Sequence, residues 1–424
     1  MRILATGTGT PFAARLLQGF APHGVELTAV DSQRWSCGKV LPNVGRRLQV
    51  PPPGHHPDIY VERVERELRE RRYDLLLPTF EEGLLLAEHA DTLRRWTTLP
   101  LSPFETIWSL HHKPTLHDVC VRLGIPTPRI MTPQTAAELE QFISQSLLRF
   151  PVVVKRPAGN NSTGRVFCDS ADSLREVFAE QVWEASGPPT EPPFIQERIQ
   201  SDAIYTLMLC HRGRKLAEVI YRPLRMYPDD AGTSVIRESI AHPQIADITG
   251  TLAAATDWTG FLGLDFLVEH GTGTPFLIDA NPRPNPAIQL GFVAGIDWSG
   301  MLLEIARGHT PEPVSPRVGV RVRSALLDWA WVIEGWKPGP RRWATGIGRL
   351  KELLHPPWPL DARSDIADQC GGRRCRAAIA WLGFTSILRT LSTGRPLSQT
   401  TLEDLSYEGR VAQVPLCGLC VNDI

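Results

Sequence analysis

The sequence predicts an α/β protein with an amino-terminal doubly wound parallel α/β domain, a strand-rich middle and a helical carboxyl-terminal appendage. Three observations lead there. Strand and helix signals alternate over residues 1–100, which is the pattern of a parallel sheet. Two hydrophobic runs, 263–268 and 275–281, flank a Gly-rich turn and read as a hairpin with a carboxylate on each strand. The tail carries Trp329, Trp331, Trp336, Trp343, Trp358 and Trp381 beside two segments of helical character, 324–336 and 376–391.

The first hundred residues justify their elements in order. Residues 2–6 form a strand rather than a leader, because the apolar run breaks at once into Gly, Thr and Pro. An amphipathic helix over 11–20 opens with Pro in its first turn. A second strand covers 25–31. A charged helix over 58–71 sets Ile59, Val61, Val64 and Leu68 at helical spacing. The strand 74–78 and the helix 81–89 complete the alternation. Thr8-Gly9-Thr10-Pro11 between strand and helix invites a dinucleotide reading with Asp31 on the ribose, but Phe12 and Ala13 stand where a third Gly belongs. Glu81 and Glu82 follow a strand's carboxyl end, where open α/β sheets bind ligands. They equally suit a helix start, where acids complement the dipole.

Bulk properties exclude several classes. The chain has 424 residues, net charge −1, 42% hydrophobic and 21% charged residues, and a pI of about 6.9. Neither a nucleic-acid footprint nor a polybasic membrane anchor is present. No apolar run approaches a bilayer span. Eight scattered cysteines fit a reduced cytosol and predict a cytoplasmic protein. Cys370/Cys375 and Cys417/Cys420 make a minority zinc reading, with free thiols favoured.

The chemistry-bearing residues fall in three stretches. Val152-Val153-Val154-Lys155 is a buried strand ending in a cation, and Gly159, Ser162, Thr163 and Gly164 mark a polar loop of the kind whose backbone N–H groups cradle phosphate. Phe194-Ile195-Gln196-Glu197-Arg198-Ile199 is a second short strand, with Asp202 just beyond it. In the hairpin, Asp279 and Asn281 share a face and Asp265 meets them from the partner strand. Two carboxylates and an amide suit Mg²⁺, which leaves its other positions to water and phosphates. Arg283 returns to the same side as a planar cation for an anionic oxygen.

In order and spacing these stretches resemble the ATP-grasp superfamily, in its carboxylate–amine ligase branch, over roughly residues 1–310. The resemblance implies an ATP-grasp fold of two α+β lobes over 111–310, preceded by the α/β domain at 1–110 and followed by the appendage at 311–424. Lys113, which precedes a helix and the turn Gly124-Ile125-Pro126-Thr127-Pro128, is then a phosphate contact. Lys155 takes the α-phosphate region, and the loop 159–164 closes over the nucleotide. Gln196, Glu197, Arg198 and Ile199 read adenine, with Asp202 on the ribose. Asp265, Asp279 and Asn281 hold Mg²⁺, with Mn²⁺ as a substitute. Asp279 departs from the commoner Glu and shortens the reach to the metal by one methylene. Arg222, Arg225 and Arg237 are candidates for the γ-phosphate or an acidic substrate, and Arg283 steadies the acyl phosphate or the tetrahedral oxyanion.

The implied activity joins a small-molecule carboxylate to an amine, such as an amino acid, through an acyl phosphate, with ATP going to ADP and phosphate. A homodimer is a further implication. Three alternatives stand beside it: an ATP-grasp kinase, an ATP-binding protein without catalysis and a nicotinamide-dependent dehydrogenase. The dehydrogenase does not account for the hairpin.

Overall fold

The computed structural model describes residues 1–158, 165–179, 192–227, 233–336 and 342–361, with 374, 377, 378, 380, 381, 383–385, 388, 392 and 407 beyond them. The chain makes two compact units. Met1–Pro128 and Ile199–Tyr407 form the first, and Arg129–Arg198 form the second.

The first unit opens as the alternation predicts. β1 (Arg2–Thr6), α1 (Pro11–Gln18), β2 (Glu26–Asp31), β3 (Val44–Gln49), α2 (Pro57–Glu70), β4 (Leu75–Pro78) and α3 (Glu82–Glu88) follow in order. The four strands pair in parallel in the order β3-β2-β1-β4. β3 is the element that sequence reading missed. It is an edge strand whose Arg46 and Arg47 mask the alternation, and Arg46 forks onto the buried carboxylate of Glu67 at 3.0 Å. The Gly-Thr turn after β1 is covered. Gly38 N–H donates to the Thr8 carbonyl at 3.0 Å, and a Cβ at Gly38 would lie 2.6 Å from Thr8. Asp31 is buried beside Lys39, and its carboxyl is pushed up to about 7, chiefly by burial. That enclosure does not suit a ribose ligand.

α4 (Phe104–His111) and α5 (Lys113–Arg122) follow, the second being the helix expected after Lys113. α5 ends in a left-handed Gly124 (φ +65°). Gly124 N–H donates to Val121 O at 3.2 Å and Ile125 N–H to Cys120 O at 2.8 Å, the pair of bonds that closes a glycine C-cap.

The second unit is an α+β lobe. β5 (Ile130–Met131), α6 (Ala136–Ser144), β6 (Val152–Lys155), β7 (Val166–Cys168), α7 (Ala171–Phe178) and β8 (Phe194–Glu197) follow in order. The strands form an antiparallel sheet, β5-β8-β6-β7. Leu139, Leu174 and Phe178 from the helices pack on Val152, Val154 and Ile195 of the sheet.

The chain then returns to the first unit with β9 (Ser201–His211), β10 (Arg214–Tyr227), β11 (Thr233–Ser239), α8 (Pro243–Ala255), β12 (Gly260–Glu269), β13 (Pro275–Asn281), α9 (Ile288–Ala294), α10 (Trp298–Ala306) and β14 (Arg321–Arg323). The six strands form one antiparallel sheet, β13-β12-β9-β10-β11-β14. Ile3, Ala5 and Leu77 of the parallel sheet share a core with Leu207, Val219 and Phe261 of the antiparallel one. No single helix among the described residues is long and apolar enough to cross a membrane.

In the tail, α11 (Ala325–Glu334) matches the helix expected over 324–336, and α12 (Arg342–Leu354) follows. The described residues of 376–391 are helical, and the rest of that segment, with Cys370, Cys375, Cys417 and Cys420, lies outside the described residues. α11 and α12 dock on β10 through Arg225. Its guanidinium lies 3.9 Å from the Trp331 ring, pairs with the fully buried Asp328 at 2.5 Å and reaches Glu352 at 2.9 Å. Arg349 stands over the same ring at 4.6 Å. Arg225 therefore serves the scaffold rather than a phosphate.

Removing one partner of a buried ion pair strands the other. Arg225→Ala is expected to cost about 3 kcal/mol in urea unfolding. Arg222→Ala, with a half-exposed side chain paired to Glu238, is expected to cost under ~1 kcal/mol.

Candidate functional site

The hairpin places its carboxylates as the sequence implied. Asp265 lies directly opposite Asp279, and Gly263 opposite Asn281. Directly opposed residues of an antiparallel pair share a face. The same row runs on through Tyr205 and Tyr221, which face Asp265 and each other in register and stack with centroids 5.5 Å apart. Gly263 leaves room that any side chain would fill, since a Cβ there would come within 2.8 Å of Asn285 Nδ2 and 3.7 Å of Asn281 Cβ.

Lys113 reaches this face from the first turn of α5. Its Nζ lies 3.4 Å from Asp279 Oδ1, with the lysine side chain only 11% exposed. A cation at a helix N-terminus is disfavoured by the helix dipole, so the lysine's position is set by its partner rather than by its helix. The turn after α5 fixes the approach. Leu277 N–H donates to Pro126 O at 2.9 Å, and Thr127 Oγ1 donates to Leu277 O at 3.0 Å. The turn is thereby stitched to β13 itself.

Arg283 lies on the exit from β13. Its Nε is 3.3 Å from Glu81 Oε1, its Nη2 is 3.5 Å from Asn281 Oδ1, and its guanidinium carbon is 4.6 Å from the Phe80 ring centre. The adjacent acids part company here. Glu82 turns inward, where it accepts from Thr6 Oγ1 at 2.8 Å and Thr79 N–H at 3.0 Å. Burial raises its pKa.

His111 is also drawn in. It is buried against the hairpin. Its pKa is pushed down to about 4, by burial first and then by Lys113, with Asp279 acting in the opposite sense. A hydrogen bond with the Ala280 backbone also acts to raise it. The sequence signal was its spacing, two residues before Lys113.

Arg222 is not at this face, whereas Arg237 is: it lies opposite Pro223, two residues along from Tyr221, and its charge acts on Tyr221 together with that of Asp265. Arg222 follows Tyr221 and so alternates to the other side of the sheet, where its Nη2 pairs with Glu238 at 2.7 Å. Arg237 is buried and donates to Pro286 O at 2.9 Å and Ser234 O at 2.5 Å. It braces the loop that follows the hairpin. Asp202 is exposed near the start of β9, 3.4 Å from His270 Nε2. Just before it, Ile199 offers its carbonyl to Ser201 Oγ at 3.2 Å.

The second unit holds the other predicted residues. Lys155 at the end of β6 donates to Gln196 Oε1 at 2.5 Å. Glu197 is partly exposed at the end of β8, with its N–H on Arg129 O at 3.0 Å and its carboxylate 3.5 Å from Arg129 Nε. Arg198 stands over the Phe167 ring at 4.9 Å. Gly159, Ser162, Thr163 and Gly164 lie outside the described residues.

The donor set fits Mg²⁺. No group of three or more His, Cys, Asp or Glu suited to a metal occurs among the described residues. A site of two carboxylates and an amide is what a cation shared with substrate phosphates needs, rather than an all-protein cage.

Neutral His111 gives a pH signature. The unfolded chain takes its proton near 6.5 and the folded one near 4. Stability from this group is present above about pH 6.5 and is lost as pH falls toward 4. The melting temperature of the wild type should fall more steeply over that interval than that of His111→Gln.

No family model matches the chain, and no curated protein matches it by sequence. Solved structures match it by fold. The L-amino acid ligase from Bacillus licheniformis superposes with a TM-score of 0.57 at 18% identity, over 72% of this chain and 73% of that one. The biotin carboxylase domain of the Hydrogenobacter thermophilus 2-oxoglutarate carboxylase, solved with MgADP, ADP and bicarbonate, gives 0.59 at 16% identity, over 75% and 73%. The N5-carboxyaminoimidazole synthetase from Staphylococcus aureus gives 0.57 at 12% identity, over 76% and 80%. The chain has the fold of these proteins, the ATP-grasp fold.

Proposed function

We propose that this ATP-grasp chain is an ATP-dependent carboxylate–amine ligase that forms an amide through an acyl phosphate and releases ADP and phosphate. The observation that carries the reading is the cluster in the first unit. There Asp265, Asp279 and Asn281 share one face, and Lys113 and Arg283 converge on it from elements far apart in sequence.

The residues divide the work. By the same resemblance, Lys155 and the loop 159–164 take the α-phosphate region, Gln196, Glu197, Arg198 and Ile199 read adenine, and Asp202 takes the ribose. Lys113 holds a terminal phosphate as a point charge. Asp265, Asp279 and Asn281 would hold Mg²⁺, which would supply positive charge to offset the charge that develops on the transferred phosphate. The substrate carboxylate attacks the γ-phosphorus, and the β–γ phosphoanhydride bond breaks to release ADP. The amine lone pair then attacks the acyl carbon, phosphate leaves, and the nitrogen gives up a proton. Arg283 faces the oxyanion of that second step. Such phosphoryl transfer is driven by positioning and charge, and positioning alone supplies on the order of 7–11 kcal/mol.

The test is incubation with Mg²⁺ and ATP together with pools of carboxylic acids and amines, reading ADP and product masses. The expected product has the combined mass of one acid and one amine less water. A phosphate added to one substrate would assign a kinase instead, and binding without turnover would assign a catalytically silent nucleotide-binding protein. Asp279→Ala and Lys155→Ala should abolish turnover. Arg283→Ala should lower kcat by about 10²–10³, the usual effect of losing one preorganised charge-stabilising group. Unchanged ADP release in any of the three would remove that residue from the site.

A further inference from the structure

We propose that Glu81, at the carboxyl end of the amino-terminal parallel sheet, is the positioning residue for Arg283. The inference rests on the ligase reading, in which Arg283 faces anionic oxygen.

The geometry separates this role from substrate contact. The Glu81 side chain is only 2% exposed and lies 3.3 Å from Arg283 Nε, whereas Arg283 is itself 12% exposed. The carboxylate is therefore screened from solvent, and the arginine is the more accessible of the pair. Phe80, the residue before Glu81, covers one face of the guanidinium at 4.6 Å. Asn281 Oδ1 and the Pro284 carbonyl take the Nη atoms at 3.5 Å and 3.3 Å. The Nε–carboxylate pair is as long as the contact with the Pro284 carbonyl, but it carries charge on both sides, which makes it the stronger restraint beside the ring. One turn thus supplies both an edge and a face restraint. A charged group held in place beforehand needs no reorganisation when the anion develops, which is where such groups gain most of their effect.

The neighbouring acid provides the contrast. Glu82 is committed to Thr6 and Thr79 at the strand ends, so its loss acts on the fold and not on Arg283. The two acids are adjacent in sequence but are expected to differ in kind.

The experiment is a double-mutant cycle on the full chain, with kcat and KM for ATP, acid and amine measured for each variant. Glu81→Gln keeps an acceptor and removes the charge. It is expected to lower kcat by about 10²-fold, as when a catalytic group is misplaced by ~1 Å, with every KM changed less than about twofold. In the Arg283→Ala background the same substitution should change kcat less than about twofold, because nothing remains to be positioned. Equal effects in the two backgrounds would overturn the proposal. So would a rise in the KM for acid or amine with kcat intact, which would make Glu81 a substrate ligand. Glu82→Gln should lower the melting temperature without this coupling to Arg283. If the wild type consumes no ATP with any acid and amine, the ligase reading itself fails, and this role falls with it. Wild-type turnover with an additive cycle overturns the positioning role alone.

Discussion

The register in which β12 meets β13 sets Asp265 opposite Asp279 and Gly263 opposite Asn281. Side chains alternate along a strand, so a slip of one residue would carry both donors of one strand to the other face of the sheet. Burial holds the register. Leu264, Phe266, Leu277 and Ala280 lie in the core on the opposite face, and the slip would exchange them with the acids. Everything else at the site approaches this pair of strands. The Pro126–Thr127 turn bonds to Leu277 and brings Lys113 to Asp279, and the exit from β13 delivers Arg283 to Glu81.

Charge at the site is arranged in layers. Closest to the open face are Lys113, Asp279 and Arg283, each partly screened. Beneath them Glu81 and His111 are buried, one paired with a guanidinium and the other kept neutral. Farther along the same sheet Arg225 makes a second ionic centre with Asp328 and Glu352, and there the Trp-rich appendage joins the scaffold. Guanidinium groups from one stretch of chain thus divide between a half-exposed ion pair at Arg222 and a buried strut at Arg225. Composition does not distinguish them. Burial does, because a charge out of water must be matched by a partner.

Several candidate residues were legible in the chain. Asp265, Asp279, Asn281 and Arg283 in the first unit, and Lys155 in the second, stood out by residue type, element and spacing, because strand periodicity and turn chemistry act over a few residues, whereas Lys113 and Glu197 came only with the family resemblance. The parallel sheet was legible for the same reason, apart from β3, whose paired arginines disguise an edge strand. Less legible were His111, whose role depends on what packs over it, and Gly263, whose missing side chain matters only because Asn285 lies above it.

The sequence by itself determined which residues carry the donors, which strands alternate and where turns break them, since each depends on local backbone preference and hydrophobic period. Tertiary structure alone decided which acid meets which cation. Glu81 and Arg283 are 202 positions apart, and Arg225 and Asp328 are 103 apart. No local rule links such residues, and their pairing follows from the packing of sheets and helices that excludes water from around them.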